Sequence, residues 1–244
     1  MSVGAGGVGG VGGRVPPARR GPRIPGAGVP ALVLGLAVAV VVVHATNVAF
    51  SVVGLSPAWA VGVLAGSLLG SAVNVPVLSL VAEPEDAGPG RVEMDRAGMV
   101  WTLGLDQPRR VAVAVNVGGA VIPSAVSVYL LVRTGLWWGG LFVVALVALV
   151  VHRFATPVRR VGIVVPMVLP ALTAAAAALA VADRPDAPVL AYVGGTLGTL
   201  VGADLTNFAA VRRMPAARVS IGGGGTFDGV FVSGVLAVLM AALR

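Results

Sequence analysis

Seven apolar runs, each near the length needed to cross a bilayer, constrain this chain most: residues 30–54, 58–82, 111–132, 136–152, 161–182, 188–210 and 219–243. About 20 apolar residues span the hydrocarbon core as a helix. Runs this long and uniform do not read as the short alternating segments of a membrane barrel. Composition agrees, with 57% hydrophobic and 11% charged residues and a mean hydropathy of +0.96, against about 25% charged in soluble domains. The expected fold is an all-α membrane protein of about seven transmembrane helices, with residues 30–244 as one polytopic domain. Residues 1–29, rich in Gly, Pro and Arg, cannot bury enough surface to fold and are expected to be a disordered cytoplasmic tail.

All 17 basic residues are arginine. Arg14, Arg19, Arg20 and Arg23 precede the first run, Arg91, Arg96, Arg109 and Arg110 follow the second, Arg153, Arg159 and Arg160 the fourth, and Arg212, Arg213 and Arg218 the sixth. The opposite side receives only Arg133, Arg184 and Arg244. By the positive-inside rule the N-terminus is expected in the cytoplasm and the C-terminus outside, in a multi-pass protein of the plasma membrane. The net charge of +7 then reflects topology and anionic lipid headgroups, and does not call for nucleic acid. With no cysteine and two histidines, His44 and His152, the chain has little with which to hold a metal, and no cofactor is expected. His44, with Asn47 three residues on, reads as a core histidine.

One sizeable polar loop, about 83–110, holds six of the ten acids: Glu83, Glu85, Asp86, Glu93, Asp95 and Asp106. Its middle, Arg91-Val92-Glu93-Met94-Asp95-Arg96, alternates polar and apolar before Met99-Val100-Trp101, as a small hairpin or interfacial flap would. Trp137 and Trp138 read as interface anchors.

Two acids interrupt the apolar runs, Asp204 and Asp228. A carboxylate near the bilayer centre costs at least about 2.5 kcal/mol and is by default a functional hypothesis. Their distances from Arg212 and Arg218 place both in the cytosolic half of the bundle, where Asn74 and Asn116 also fall. These four are expected to form a polar ring, joined by Asn207 and Thr226. Gly222, Gly223, Gly224 and Gly225 each cost about 1 kcal/mol against Ala in a helix interior, so the last run is expected to break there as a hinge. Two readings of Asp228 stay open. It belongs to the polar site, or it caps, with Thr226, a helix over about 226–243.

Gly66-Ser-Leu-Leu-Gly70 is followed by Asn74, and Gly198-Thr-Leu-Val-Gly202 by Asp204, Thr206 and Asn207. Asn116-Val-Gly118-Gly119 and Ser220-Ile-Gly222-Gly223 recur in the same order. Two parallel three-helix repeats joined by a linker helix would account for this, an arrangement found in carriers. Close helix packing alone would also account for the glycines.

The strings Asn116-Val-Gly-Gly-Ala-Val-Ile-Pro123, Gly202-Ala-Asp-Leu205 and Ser220-Ile-Gly-Gly-Gly-Gly-Thr-Phe-Asp-Gly229 resemble the signatures of an uncharacterised family of small prokaryotic polytopic membrane proteins, a domain-of-unknown-function group. The resemblance extends over all seven runs, implies a membrane fold of seven or so helices, and assigns no activity. The tail 1–29 and the length of the loop 83–110 fall outside it.

Three functions compete on these residues. A carrier of a small solute, or one coupled to a proton or cation, uses the acids, asparagines, glycine hinge and repeat together, with the lipid bilayer as its surroundings. A structural or assembly protein uses the glycines and acids for packing. An intramembrane aspartyl protease needs the two acids to share a proton. Neither acid follows a Gly-x-Gly string as in presenilin-like enzymes, and Pro170-Ala171-Leu172 precedes both acids, so no enzymatic activity is assigned.

Overall fold

The computed structural model describes residues 28–81, 92–94, 100–102, 110–158, 162–166, 168–208, 218–223 and 229–243. Contacts divide the chain into Met1–Ala39 and Val40–Arg244. Of the first unit, residues 28–39 are described, as the opening of helix α1 (Gly28–Val52). In the second, α1 closes and α2 (Pro57–Gly70), α3 (Ile122–Thr134), α4 (Trp137–Phe154), α5 (Leu169–Val181), α6 (Ala187–Val193) and α7 (Gly229–Ala242) follow. A π-helical turn at Val117–Val121 leads into α3, and others at Gly194–Gly198 and Leu200–Leu205 prolong α6.

Among the described residues, four helical stretches are long and apolar enough to cross a membrane: Leu32–Val52, Val117–Thr134, Trp137–Phe154 and Ala187–Leu205. Helices α2, α5 and α7 are apolar but shorter. The chain is thus compatible with an integral membrane protein.

The fold is mostly helical, but a small sheet stands where continuous helix was expected. The run 58–82 is helix only to Gly70 and then becomes β1 (Asn74–Val81). The run 111–132 begins as β4 (Arg110–Asn116), and the run 219–243 as β7 (Arg218–Ile221). The cause is local. Val73 to Val81 crowds β-branched residues around Pro76, which has no N–H to donate and lies beside a bulge between Pro76 and Leu78. In β4, Val alternates with Ala, and Val111 and Val113 are fully buried, as suits a central strand. The strand order is β1-β4-β7. β1 pairs antiparallel with β4 from Asn74 opposite Asn116 to Val81 opposite Arg110. β7 lies parallel on the other side, Ala112 to Val115 facing Arg218 to Ile221.

Two hairpins complete the strands. β2 (Val92–Met94) pairs with β3 (Val100–Thr102), the small hairpin expected in the polar loop. β5 (Thr156–Val158) pairs with β6 (Gly162–Val164), taking the start of the run expected as helix over 161–182. Helix α5 starts only at Leu169, with Pro170 in its first turn, where a missing N–H breaks no helical bond. His44, read as a core residue, is instead exposed on α1.

Helix α6 runs between α4 and α7 and is buried through most of its span. Its glycines set the contacts. A Cβ would lie 2.6 Å from Val147 Cβ at Gly198, 2.5 Å from the Ala148 carbonyl oxygen at Gly202, and 2.8 Å from the Ser233 carbonyl oxygen at Gly195. Such backbone proximity is how helices associate where lipid supplies no hydrophobic drive between them. Phe50, Leu64, Leu130, Tyr192 and Phe231 fill one core cluster. Val143, Val147, Ala174, Leu190 and Ala237 fill a second.

Candidate functional site

Asn116 ends β4 and caps the turn that follows, its Oδ1 accepting the Gly119 N–H at 2.8 Å. The residue is 1% exposed, so its amide nitrogen needs acceptors inside the protein. Nδ2 donates to the Ser71 carbonyl at 2.7 Å and to Asn74 Oδ1 at 3.1 Å. Ser220 Oγ donates to the same Asn74 oxygen. Each strand of the sheet therefore places one polar side chain in a common knot.

Asp204 lies in the last π-helical turn beyond α6, and its Oδ2 accepts the Gly222 N–H at 2.7 Å. Gly222 follows β7 with φ +78, a conformation open to glycine. A Cβ there would also lie 2.6 Å from Ala120 Cβ and 2.7 Å from the Ala120 nitrogen. Gly222 thus bonds Asp204 while pressing on the turn that Asn116 caps, and it sits two residues from Ser220. Asp204 is partly buried, and Ala187–Leu205 contains no basic residue.

The end of this helical span is closed by its own side chains. Asn207 Nδ2 donates to the carbonyls of Gly202 at 2.9 Å and Ala203 at 3.0 Å. Thr206 Oγ1 donates to Gly202 O at 2.8 Å and meets His152 Nδ1 at 2.9 Å. These groups occupy carbonyls that a helix terminus leaves without helical partners.

The structure therefore links Asn74, Asn116 and Asp204 through β7 and Gly222, and sets Asn207 at the adjoining helix end. Gly223 also has positive φ, 90. Gly224, Gly225, Thr226 and Asp228 lie outside the described residues, and Asp228 is one of the two carboxylates on which protease chemistry depends. Ser220 and His152 were not among the expected site residues. The signal for Ser220 was its place in Ser220-Ile-Gly-Gly, matching that of Asn116 in Asn116-Val-Gly-Gly. Nothing local marked His152. Chemically, the knot offers a carboxylate, two amides and a hydroxyl, groups that hold a proton, a cation or a polar solute.

Residues 68–240 match a family model described as "Protein of unknown function (DUF1614)". The match holds Asn74, Asn116, Asp204 and Ser220, and it includes the loop 83–110. It starts near the end of α2, so α1 and most of α2 precede it, a narrower span than the expected seven runs. No curated protein and no solved structure matches the chain.

Proposed function

The chain belongs to the DUF1614 family of proteins of unknown function, and from that premise we propose that it is an integral membrane carrier of a small solute, or one coupled to a proton or cation. In this reading it is a multi-pass protein of the plasma membrane with about seven spans, its N-terminus in the cytoplasm and its C-terminus outside. The solute or ion engages the polar knot in the cytosolic half of the bundle. Asp204 carries the reading. It is a carboxylate at the end of a 19-residue apolar helical span without a basic residue, bonded to a backbone N–H beside Asn74, Asn116 and Ser220. An ionisable group so placed is costly and is by default a functional hypothesis.

Two further features support it. β4 and β7, which carry the Asn116-Val-Gly-Gly and Ser220-Ile-Gly-Gly strings, lie side by side and parallel, as two parallel repeats related by an axis along the membrane normal would require. Trp137 and Trp138, 50% and 85% exposed at the start of α4, suit a membrane interface.

The test is proton or cation flux into proteoliposomes, read with an ion-sensitive dye. Asp204→Asn keeps an oxygen for the Gly222 N–H while removing the charge, so the fold is retained and flux is expected to vanish. Unchanged flux refutes the carrier. A packing role has one observation in its favour, the bond tying Asp204 to Gly222. That role predicts lower thermal stability for Asp204→Ala and no flux for any variant to change.

A further inference from the structure

Two faces of α1 differ in what they meet. Thr46, Ala49 and Phe50 are buried on one of them. On the other, Val40, His44, Asn47 and Ser51 follow one another at intervals of four, three and four residues, the spacing of a seam between paired helices. All four lie in the unit Val40–Arg244. Val40, His44 and Ser51 are exposed and Asn47 is half-buried. Neither ring nitrogen of His44 has a hydrogen-bond partner among the described residues. Asn47 donates one amide N–H to the Val43 carbonyl and Ser51 its hydroxyl proton to the Val48 carbonyl, both within α1. The Asn47 Oδ1 and its second N–H are left open.

Depth makes these open groups costly. In the apolar span Leu32–Val52, His44 lies 12 residues beyond the first residue and 8 before the last, or about 18 Å and about 12 Å along the helix. Both ends of a hydrocarbon core about 30 Å thick are therefore distant. Lysine and arginine reach headgroups from inside the core by their long stems, but an imidazole on one methylene is too short. Ionisable residues in spans face a bundle interior or a water-filled cavity, and they pair. Within one chain His44 does neither, so its partner belongs to another molecule.

We propose that two copies of the chain pair in the bilayer along this face of α1, with His44 and Asn47 hydrogen-bonded across the interface. Every copy is inserted in the same orientation, so two copies meet about an axis along the membrane normal. Their α1 helices then lie parallel, each seam residue against its own counterpart. Such a face must be complementary to itself. A neutral imidazole donates at one nitrogen and accepts at the other, and an amide both donates and accepts, so His44 and Asn47 each bond their counterparts. A carboxylate or guanidinium would repel its counterpart, and α1 carries none. Polar side chains of these types join helices in lipid, and a single asparagine in a seam fixes register and the number of copies.

Cysteine crosslinking in membranes tests the pairing, since the chain contains no cysteine and a disulfide needs Cα atoms within about 7 Å. Val40→Cys lies on the seam, and Leu149→Cys on α4 is its control, the two native residues being 60% and 66% exposed. On oxidation Val40→Cys is expected to give a covalent dimer, and Leu149→Cys only the background of random collisions. Adding His44→Leu and Asn47→Leu to the Val40→Cys chain is expected to return it to that background, with thermal stability retained because neither side chain bonds another element. A Val40→Cys yield no higher than that of Leu149→Cys overturns the proposal, whether lipid or a different protein covers the face. Full crosslinking with both leucines present also overturns it, because apolar contact would then hold the pair. The pairing rests on the membrane placement in the preceding reading and not on transport. Release of the chain from membranes by alkaline carbonate removes that placement and the pairing with it, whereas unchanged flux in Asp204→Asn removes only the carrier.

Discussion

Replacing Gly118 by alanine should separate two elements that the polar knot needs in contact. A Cβ at Gly118 would fall on the Ser67 carbonyl oxygen and the Ser71 nitrogen, and 2.8 Å from the Gly70 carbonyl carbon. All three are backbone atoms at the end of α2, so no side-chain rotation relieves the clash. Seen from the other side, a Cβ at Gly70 would lie 2.9 Å from the Gly118 nitrogen. Overpacking of this kind costs about 1–3 kcal/mol, and contact with rigid backbone puts Gly118 at the upper end. Alanine returns about 1 kcal/mol of helix propensity, leaving a net loss of about 2 kcal/mol. For a chain of this size that lowers the melting temperature by roughly 4–8 °C. Gly62 provides the control, because a Cβ there meets nothing within 4 Å. Gly62→Ala should therefore be neutral or stabilising by up to about 1 kcal/mol. Thermal unfolding of both variants in detergent, followed by tryptophan fluorescence, compares them directly. A Gly118→Ala protein as stable as Gly62→Ala would refute the argument that α2 and the turn before α3 meet backbone to backbone.

Asn116→Ala removes a buried cap and two donated bonds, and is expected to cost about 2–3 kcal/mol in the same assay. Asn116→Asp should do no better, because the group facing the Ser71 carbonyl must donate; stability equal to wild type for Asn116→Asp would contradict that assignment. Tyr192→Phe should be neutral or stabilising, by up to about 3 kcal/mol, since the buried Tyr192 hydroxyl has no partner among the described residues. A clear loss of stability in Tyr192→Phe would mean that the hydroxyl is bonded after all.

The helical part of the fold was legible because apolar length is a local property, and the α4 run, expected at 136–152, lies within two residues of Trp137–Phe154. The strands were not, because a valine-rich apolar run reads equally as buried helix or buried strand. Pro76 and the alternating valines of 111–115 lean toward strand, but the decision is made by pairing between Asn74 and Asn116, 42 positions apart. Depth along the chain brought Asn74, Asn116 and Asp204 to one end of the bundle. Which atoms bond could not be read there, since Ser220 reaches Asn74 across 146 positions and Thr206 reaches His152 across 54. Gly222 appeared only as a breaker, whereas its larger role is to let a backbone N–H approach Asp204 where any side chain would strike Ala120.

The glycine faces of α6 bear on the order in which the chain can mature during synthesis. Gly198 and Gly202 rest on α4, which leaves the ribosome before α6 does, so that seam can close as α6 emerges. Gly195 rests on the Ser233 carbonyl of α7, and Gly234 of α7 receives Thr196 and Tyr192 in return. This second seam must wait for later residues. Until then α6 presents bare backbone and its buried hydroxyls to whatever surrounds it, a state in which glycine-rich helix has little stability of its own. The seating of α7 is then the step that completes the packing around α6.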